Sequence, residues 1–209
     1  MKRLYLRLLM SVMMGLMVFS GLSATVQAKG IDSGESDPVV ISGGGGIFHP
    51  FQGKSGFNAV VQATGKISPQ ERLGVELEFR KYEAEFFNAK NIDTRSYILR
   101  GFGQYYFFPQ GISPYMGLGI NLAVNDFDGN EVERKRPSVD VKTGWGFGYG
   151  IMGMFGVEAP VGQQLALFVE GRVSGDFQIT IYEKRSGKDK INFESLSGLT
   201  GMGGIRMRF

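Results

Sequence analysis

The chain has 209 residues, including 32 glycines and no cysteine, and its formal net charge is +3. The lack of cysteine excludes disulfide bonds and thiol chemistry, and a length of this order suits one domain. Aromatic residues make up 12% of the chain, and together with the glycines they favour a β protein over a helical one.

The first 28 residues predict a secretory signal peptide that is cleaved after Ala28. Basic residues within Met1–Arg7 precede an apolar run from 8 to 24, and small residues stand before the cleavage point. A retained helix is the alternative, because the run approaches the roughly 17 residues that span a bilayer, but the small and polar residues at its end favour cleavage. Cleavage leaves 20 basic and 20 acidic residues, so the charge gives no support for nucleic-acid binding. Residues 29–38 predict a flexible tail.

From residue 39 onward, apolar and polar residues alternate with the period of two that is typical of β-strands. The pattern predicts eight strands, at 39–48, 56–67, 72–86, 94–108, 114–125, 139–159, 164–184 and 192–209. Short turns with proline or glycine follow the second, fourth and sixth strands. The other breaks, near 49–55, 87–93, 126–138 and 185–191, are mostly longer and charged. Short turns on one side and long polar loops on the other are typical of a membrane barrel.

The seventh predicted strand separates an apolar face from a charged one. Its alternate positions from Leu165 to Ile181 carry only apolar residues and glycine, whereas Glu170, Arg172 and Asp176 lie between them. A soluble barrel would turn the apolar face inward, but the signal peptide and the aromatic residues near strand ends favour an apolar face in contact with lipid. An eight-stranded barrel is just wide enough inside for side chains. Glycines make room for the charged side chains at inward positions 117, 119, 144, 146, 148 and 150.

The last strand ends on an aromatic residue, after apolar or glycine positions that alternate from Leu199 to Phe209. With this ending, the chain resembles the eight-stranded bacterial outer-membrane β-barrel family, of the type of the outer membrane protein A transmembrane domain, outer membrane protein X and the opacity proteins. Gly204, Met207 and Phe209 match the family's C-terminal assembly signal, and Met202 stands where a polar residue is usual. The resemblance implies an all-β, antiparallel, up-and-down transmembrane barrel over 39–209, which the barrel-assembly machinery inserts into the outer membrane as a monomer.

Inward charges form the first candidate site. Members of the resembled family carry interior ion-pair networks, and the residues here that can meet across a narrow lumen are Glu76, Glu78, Arg80, Arg100, Glu170, Arg172 and Arg206. Burying such groups without partners would cost on the order of several kcal/mol each. The favoured hypothesis is a salt-bridged plug, because eight strands leave no continuous water channel. A pore or an active site is the alternative use of the same groups.

His49 is the only histidine and forms the second candidate site. Some eight-stranded outer-membrane enzymes that acylate or deacylate lipid A use a histidine with a serine and a carboxylate, which makes Ser55 and Asp93 candidate partners. The spacing here matches no motif of those enzymes. A turn or interfacial residue is the simpler interpretation of His49, and lipid A modification is the alternative function.

Charged loops suggest contacts with lipopolysaccharide. Acidic residues between 126 and 133 precede Arg134, Lys135 and Arg136, and basic residues stand at 184, 185, 188 and 190. Basic groups at an outer rim can pair with lipopolysaccharide phosphates, and carboxylates can share divalent cations, although solvated loop charge is the simpler account. Neither a calcium loop at 126–130 nor a phosphate loop at 43–46 has the required spacing. No metal site and no cofactor is predicted.

These patterns predict an integral outer-membrane barrel with a structural or surface-interaction role, in contact with outer-membrane lipids and an external ligand. The last three strands are up to about twice as long as the roughly 9–11 residues that cross a membrane, so their excess is expected to project outward. A projecting sheet edge can bind a partner by strand addition, and trimming residues 184–191 is expected to abolish surface binding. A ligand carrier ranks below the enzyme, because the inward faces are charged.

Overall fold

The computed structural model describes residues 39–141, 144–184 and 188–209. The predicted signal peptide at 1–28 and tail at 29–38 lie outside this range. The described residues form ten strands and one short helix, which are β1 (Val40–Pro50), β2 (Gly53–Lys66), β3 (Glu71–Phe86), β4 (Ala89–Tyr106), β5 (Ser113–Phe127), α1 (Gly129–Lys135), β6 (Val139–Asp140), β7 (Trp145–Pro160), β8 (Leu165–Lys184), β9 (Lys188–Ser195) and β10 (Gly198–Arg208).

The strands close into a barrel. Antiparallel neighbours follow one another from β1 to β5, then β5 pairs with β7, β7 with β8, and β8 with β10. β10 pairs with β1 along its whole length, from Val40 opposite Arg208 to Pro50 opposite Gly198. β9 precedes β10 and pairs with the end of β8, as does the two-residue β6. The predicted eight-stranded antiparallel barrel is confirmed.

The two rims of the barrel differ. Both described chain ends lie at one of them, the terminal rim, where the Phe209 N–H donates to the Val39 carbonyl at 2.9 Å. The turns from β2 to β3, β4 to β5 and β7 to β8 also lie at the terminal rim. The opposite rim, called the distal rim, carries the other connections and α1.

Two predicted loops at the distal rim are wrong in length. β1 reaches Pro50 and β2 begins at Gly53, so the predicted loop at 49–55 is a short turn. Only Phe87 and Asn88 join β3 to β4, with φ angles of 53° and 59°, which is the left-handed geometry of a two-residue hairpin turn. Residues 89–93 therefore continue β4, with Ala89 and Ile92 facing the interior and Lys90 and Asp93 exposed. A strand ladder is held by backbone hydrogen bonds, so polar side chains do not end it.

The predicted strand boundaries are also wrong around α1 and β9. The long sixth strand of the barrel begins at Trp145 instead of 139, and Gly144 precedes it. α1 fills part of the predicted loop, and its N-cap Asp128 accepts a hydrogen bond from the Glu131 N–H at 3.1 Å. The predicted strand at 192–209 is interrupted at 196–197, between β9 and β10.

The apolar face of the barrel points outward. Leu118, Ile120 and Ile151 are 75%, 67% and 70% exposed. On β3, the outward face carries no charge between Glu71 and Lys81, ten residues apart. Ten residues that rise about 3.3 Å each, on a strand tilted by about 40°, give an apolar band about 25 Å tall. This is the height of the lipid-facing band of a transmembrane barrel, so the strands are transmembrane.

A buried apolar cluster, the distal cap, fills the barrel at the distal rim. Phe86 stacks on Phe127 with ring centroids 4.4 Å apart, and Phe48 meets Tyr82 edge-on at 4.8 Å. α1 contributes the fully buried Val132. The remaining members are Ala84, Ala89, Ile92, Val141 and Leu196. Below it, the lumen holds charged and polar side chains together with two smaller buried clusters around Phe102 and Phe168.

Candidate functional site

Ion pairs fill the middle of the lumen, in a group called the central cluster. Arg172 on β8 donates through Nη1 and Nη2 to the two oxygens of Glu76 on β3, at 2.7 and 2.6 Å. Arg100 on β4 pairs with both Glu76 and Glu78, and Arg172 pairs with Glu170 through Nε. Because β8 lies across the lumen from the neighbouring strands β3 and β4, this pairing connects opposite walls of the barrel.

Arg80 extends the central cluster toward the distal rim. Its Nε donates to Glu78 at 3.0 Å, and its Nη1 donates to Asp176 at 3.2 Å. Asn121 donates to the other Asp176 oxygen at 2.7 Å. The Arg80 guanidinium lies over the Phe48 ring, 4.1 Å from its centroid, so the charged lumen and the distal cap are in direct contact.

A second group, the terminal cluster, surrounds Glu158 on β7. The oxygens of Glu158 accept hydrogen bonds at 2.6 to 3.0 Å from Arg72, Tyr106, Arg206 and Arg208. The Tyr115 hydroxyl accepts from Arg206 at 2.9 Å and donates to Glu170 at 2.7 Å. Since Glu170 also pairs with Arg172, the terminal cluster and the central cluster form one continuous network.

The structure places all seven sequence-predicted lumen residues inside the barrel, each at most 3% exposed. Four charged members of the network are missing from the predicted set, namely Arg72, Glu158, Asp176 and Arg208. The alternation of the sequence was enough to place Asp176, because it stands on the same face of its strand as Glu170 and Arg172. Glu158 alternates in phase with the inward glycines of β7, but it lies close to the strand end at Pro160, where the facing direction is harder to assign.

The charged groups of the network are paired with one another, although the buried Nη2 atoms of Arg80 and Arg100 have no hydrogen-bond partner. Buried amides complete it, since Asn58 donates to Glu78 at 2.9 Å and Gln62 donates to Glu76 at 2.7 Å. Carboxylates held in this way by guanidinium and amide donors are satisfied structural groups. In the part of the chain that the structure describes, no group of three His, Asp or Glu side chains has the arrangement of a metal site.

Sequence comparison identifies the family. The model of the outer membrane protein beta-barrel domain matches residues 14–200. The chain belongs to this family. The protein is therefore an outer-membrane protein with transmembrane β-strands, and the predicted signal peptide agrees with that location. No curated protein sequence matches the chain.

Solved outer-membrane barrels share the fold. OprG from Pseudomonas aeruginosa has a TM-score of 0.64 at 14% identity, over 83% of this chain and 96% of its own. Neisserial surface protein A has a TM-score of 0.52 at 18% identity, over 82% and 96%. A major outer membrane protein from Thermus thermophilus has a TM-score of 0.51 at 12% identity, over 84% and 100%. At such identities the likeness concerns the fold alone.

Membership of the family gives the barrel its orientation. The longest connection of the barrel, which joins β5 to β7 and contains α1, lies at the distal rim. Outer-membrane barrels carry their longer loops on the external side, so the distal rim faces the exterior and the terminal rim faces the periplasm. His49, α1 and the β8–β9 hairpin therefore lie on the external side.

His49 lies on the outward face at the end of β1. Its Nδ1 is 2.7 Å from the Ser55 hydroxyl oxygen, and both side chains are exposed. Asp93 lies on β4, from which β1 is separated by β2 and β3. Among the described residues, Ser55 is the only side chain that hydrogen-bonds His49. The structure thus brings together two of the three predicted members of a triad and leaves the carboxylate apart.

β9 presents an unpaired edge at the distal rim. It pairs with β8 from Lys188 opposite Lys184 to Ser195 opposite Phe177, whereas β1 ends opposite Gly198. Within the described ranges, β9 has no strand on its other side. This is the geometry that strand addition requires.

The predicted assembly residues lie on β10, where it meets β1. A Cβ on Gly204 would stand 2.2 Å from the Gly43 carbonyl and 2.8 Å from the Phe168 ring, so only glycine lets the two strands approach. Met207 and Phe209 face outward, 42% and 71% exposed. Their recognition by the assembly machinery remains a prediction.

Proposed function

We propose that this protein is a non-porous surface barrel of the outer membrane that binds an extended segment of an external partner along the free edge of β9. The observation that supports this adhesion-like role is the contrast between β9 and the other strand ends at the distal rim. Unpaired edges recruit other chains unless they are covered, and β9, over its eight residues, has no described strand along its second edge.

Two other projecting edges, those of β4 and β8, are covered. Beyond Phe127, where β5 ends, the edge of β4 is covered by α1, since Lys135 donates to the carbonyls of Lys90 and Asn91 at 2.7 and 3.0 Å. Arg136 donates to the Asn88 carbonyl at 3.2 Å. The end of β8 beyond β7 pairs with β6. A chain that covers these edges and leaves β9 open fits a binding role for β9.

The hydrogen-bond phase of β9 determines which residues would meet a partner. The Leu196 N–H donates to the Asp176 carbonyl of β8 at 2.9 Å. Because N–H groups alternate between the two edges of a strand, the Glu194 N–H also points to β8, while the Phe193 N–H points to the free edge. Proline at 193 therefore removes a free-edge donor without removing a bond to β8.

The test uses bacteria that display the protein and measures their adherence to a cultured-cell monolayer. Phe193→Pro is expected to reduce adherence to the level of cells that lack the protein, because proline has no N–H. Phe193→Ala is the matched control, since it keeps the N–H and removes the same exposed ring, and it is expected to adhere normally. Barrel formation of both variants is checked by heat-dependent gel mobility. Wild-type adherence of Phe193→Pro, with the barrel intact, would contradict the proposal.

The non-porous part of the proposal is supported by the buried ion pairs and the distal cap. An eight-stranded interior is only wide enough for side chains, and here guanidinium and carboxylate groups occupy it. Purified protein in planar bilayers is expected to give no large, stable conductance. A steady open channel would contradict this part alone and leave the β9 proposal untouched.

Lipid A modification is the second candidate, and the hydrogen bond between His49 and Ser55 is what favours it. A hydrolase triad needs a carboxylate on the second imidazole nitrogen, and in the described part of the chain Ser55 is the only partner of the ring. The lipid A of cells with and without the protein is therefore expected to have the same acylation by mass spectrometry. A change that disappears in His49→Ala would establish the enzyme instead.

A further inference from the structure

Two basic residues face each other on the outer surface of the barrel, where the apolar band ends. Lys81 on β3 and Arg95 on β4 are direct cross-strand partners, and both side chains are exposed. One row toward the periplasm, Phe79 and Tyr97 are partners as well, with ring centroids 5.3 Å apart. The next ring, that of Phe57, is 5.8 Å from Phe79. The cations thus stand directly above an aromatic belt.

The pair forms no ion pair within the described ranges of the chain, although Asp126 on β5 is the other cross-strand neighbour of Arg95. Like charges directly opposite each other destabilise a sheet, and neither Lys81 nor Arg95 has an ion pair there. By contrast, the nearby Lys54 pairs with Glu83 at 2.9 Å. An external anion would relieve the repulsion between Lys81 and Arg95.

The height of the pair on the barrel identifies where the anion comes from. Lys81 is the first outward charge of β3 beyond the apolar band of about 25 Å, so it stands at the level of the head groups in the external leaflet. One row further out, Glu83 and Asp93 are partners, and two opposed carboxylates repel an anion that approaches from solution. A lipid phosphate reaches Lys81 and Arg95 laterally, within the leaflet, so it does not pass the carboxylates of Glu83 and Asp93.

We propose that Lys81 and Arg95 bind a phosphate group of lipid A, the glycolipid of the external leaflet. The planar guanidinium of Arg95 can donate two parallel hydrogen bonds to phosphate oxygens, and the Lys81 ammonium supplies a compact positive charge. The rings of Phe79 and Tyr97 lie one row below it at the level of the first acyl-chain carbons, and Phe57 lies beside Lys81 in the same row. This lipid site is separate from the free edge of β9, and neither proposal depends on the other.

The test compares two double variants with the same change in charge, in detergent-solubilised barrel titrated with bisphosphorylated lipid A. Lys81→Gln with Arg95→Gln is expected to weaken binding about 30-fold, since each basic residue near an anionic lipid surface contributes about 1 kcal/mol. Lys90→Gln with Arg134→Gln is the control, because both side chains are exposed at the distal rim, outside the site. The control is expected to bind as the wild type does.

Two further arms identify the ligand. Lipid A stripped of its phosphates is expected to bind the wild type as weakly as bisphosphorylated lipid A binds the Lys81/Arg95 variant. Inorganic phosphate is expected not to compete at millimolar concentration, and effective competition would mean a free-anion site and overturn the lipid assignment. Equal lipid A binding by the two double variants, with thermal unfolding of both unchanged, would overturn the site itself.

Discussion

Replacing Arg172 by methionine tests whether the lumen charges stabilise the barrel as a network. Methionine fills a similar volume but has no charge. The substitution therefore leaves the buried carboxylates of Glu76 and Glu170 with fewer hydrogen-bond donors. Arg172 makes two hydrogen bonds to Glu76, at 2.7 and 2.6 Å, and both side chains have an exposed fraction of 0%. Removing one partner of a buried ion pair costs about 3–5 kcal/mol, and we expect a loss of that size in the free energy of unfolding.

The measurement is urea unfolding of the barrel in phospholipid vesicles. Trp145 is the only tryptophan, and its position at the start of β7 makes its fluorescence a report on the whole barrel. Lys54→Met is the matched control, because the Lys54–Glu83 pair has a similar distance, 2.9 Å, but its side chains are 62% and 33% exposed. An exposed pair contributes at most about 1 kcal/mol.

A double variant separates loss of charge pairing from loss of packing. Adding Glu76→Gln to Arg172→Met removes one carboxylate together with one guanidinium, so part of the stability is expected to return, with a coupling energy of about 1–3 kcal/mol. If Arg172→Met costs no more than Lys54→Met, or if Glu76→Gln only adds to its cost, the ion pairs do not act as a network and the reasoning is wrong.

Other parts of the barrel give further expectations. Deleting Phe209 is expected to reduce the amount of assembled barrel in the outer membrane while the purified variant still folds in detergent, as measured by heat-dependent gel mobility of both samples. Gly204→Val is expected to prevent closure in both settings, because its side chain would overlap the Gly43 carbonyl at the β1–β10 seam. Val132→Asp would bury a charge in the distal cap and is expected to lower stability by roughly 2 kcal/mol or more, with α1 becoming accessible to added protease while the barrel strands stay protected.

The alternation of residue types was sufficient to predict the barrel, because a period of two assigns each side chain to one of two faces. It placed Arg100 and Arg172 inside and Leu118 and Ile151 outside without knowledge of any contact. The same rule assigns Asp176 to the lumen, but it does not identify Arg80 as its partner, 96 residues away. That pairing depends on how the sheet is staggered when β10 closes on β1, and no local pattern encodes the stagger.

The distal rim was predicted less well, because polarity was taken as a sign of loops. Asp93 and Asn91 belong to β4 although they are polar, since above the membrane a strand meets water on its outer face and gains nothing from apolar side chains. The helix α1 has seven residues, too few for a helical period to emerge from its sequence, and its only strong local signal is the N-cap Asp128. Its packing through Val132 is a tertiary effect.

The pairing of the charged groups inside the lumen bears directly on where the protein can bind a ligand. Every guanidinium of the central cluster is already paired with a carboxylate. A ligand entering the lumen would have to break these buried ion pairs, and a buried charge that loses its partner is strongly destabilising. The groups that the two proposals assign to ligands lie on the exterior instead, in the backbone of β9 and in the side chains of Lys81 and Arg95. In these proposals the edge of β9 binds an extended peptide, and Lys81 and Arg95 bind a lipid phosphate. Under both proposals the protein therefore binds its ligands at its outer surface, on β9 and on the strands β3 and β4, which the lumen network connects.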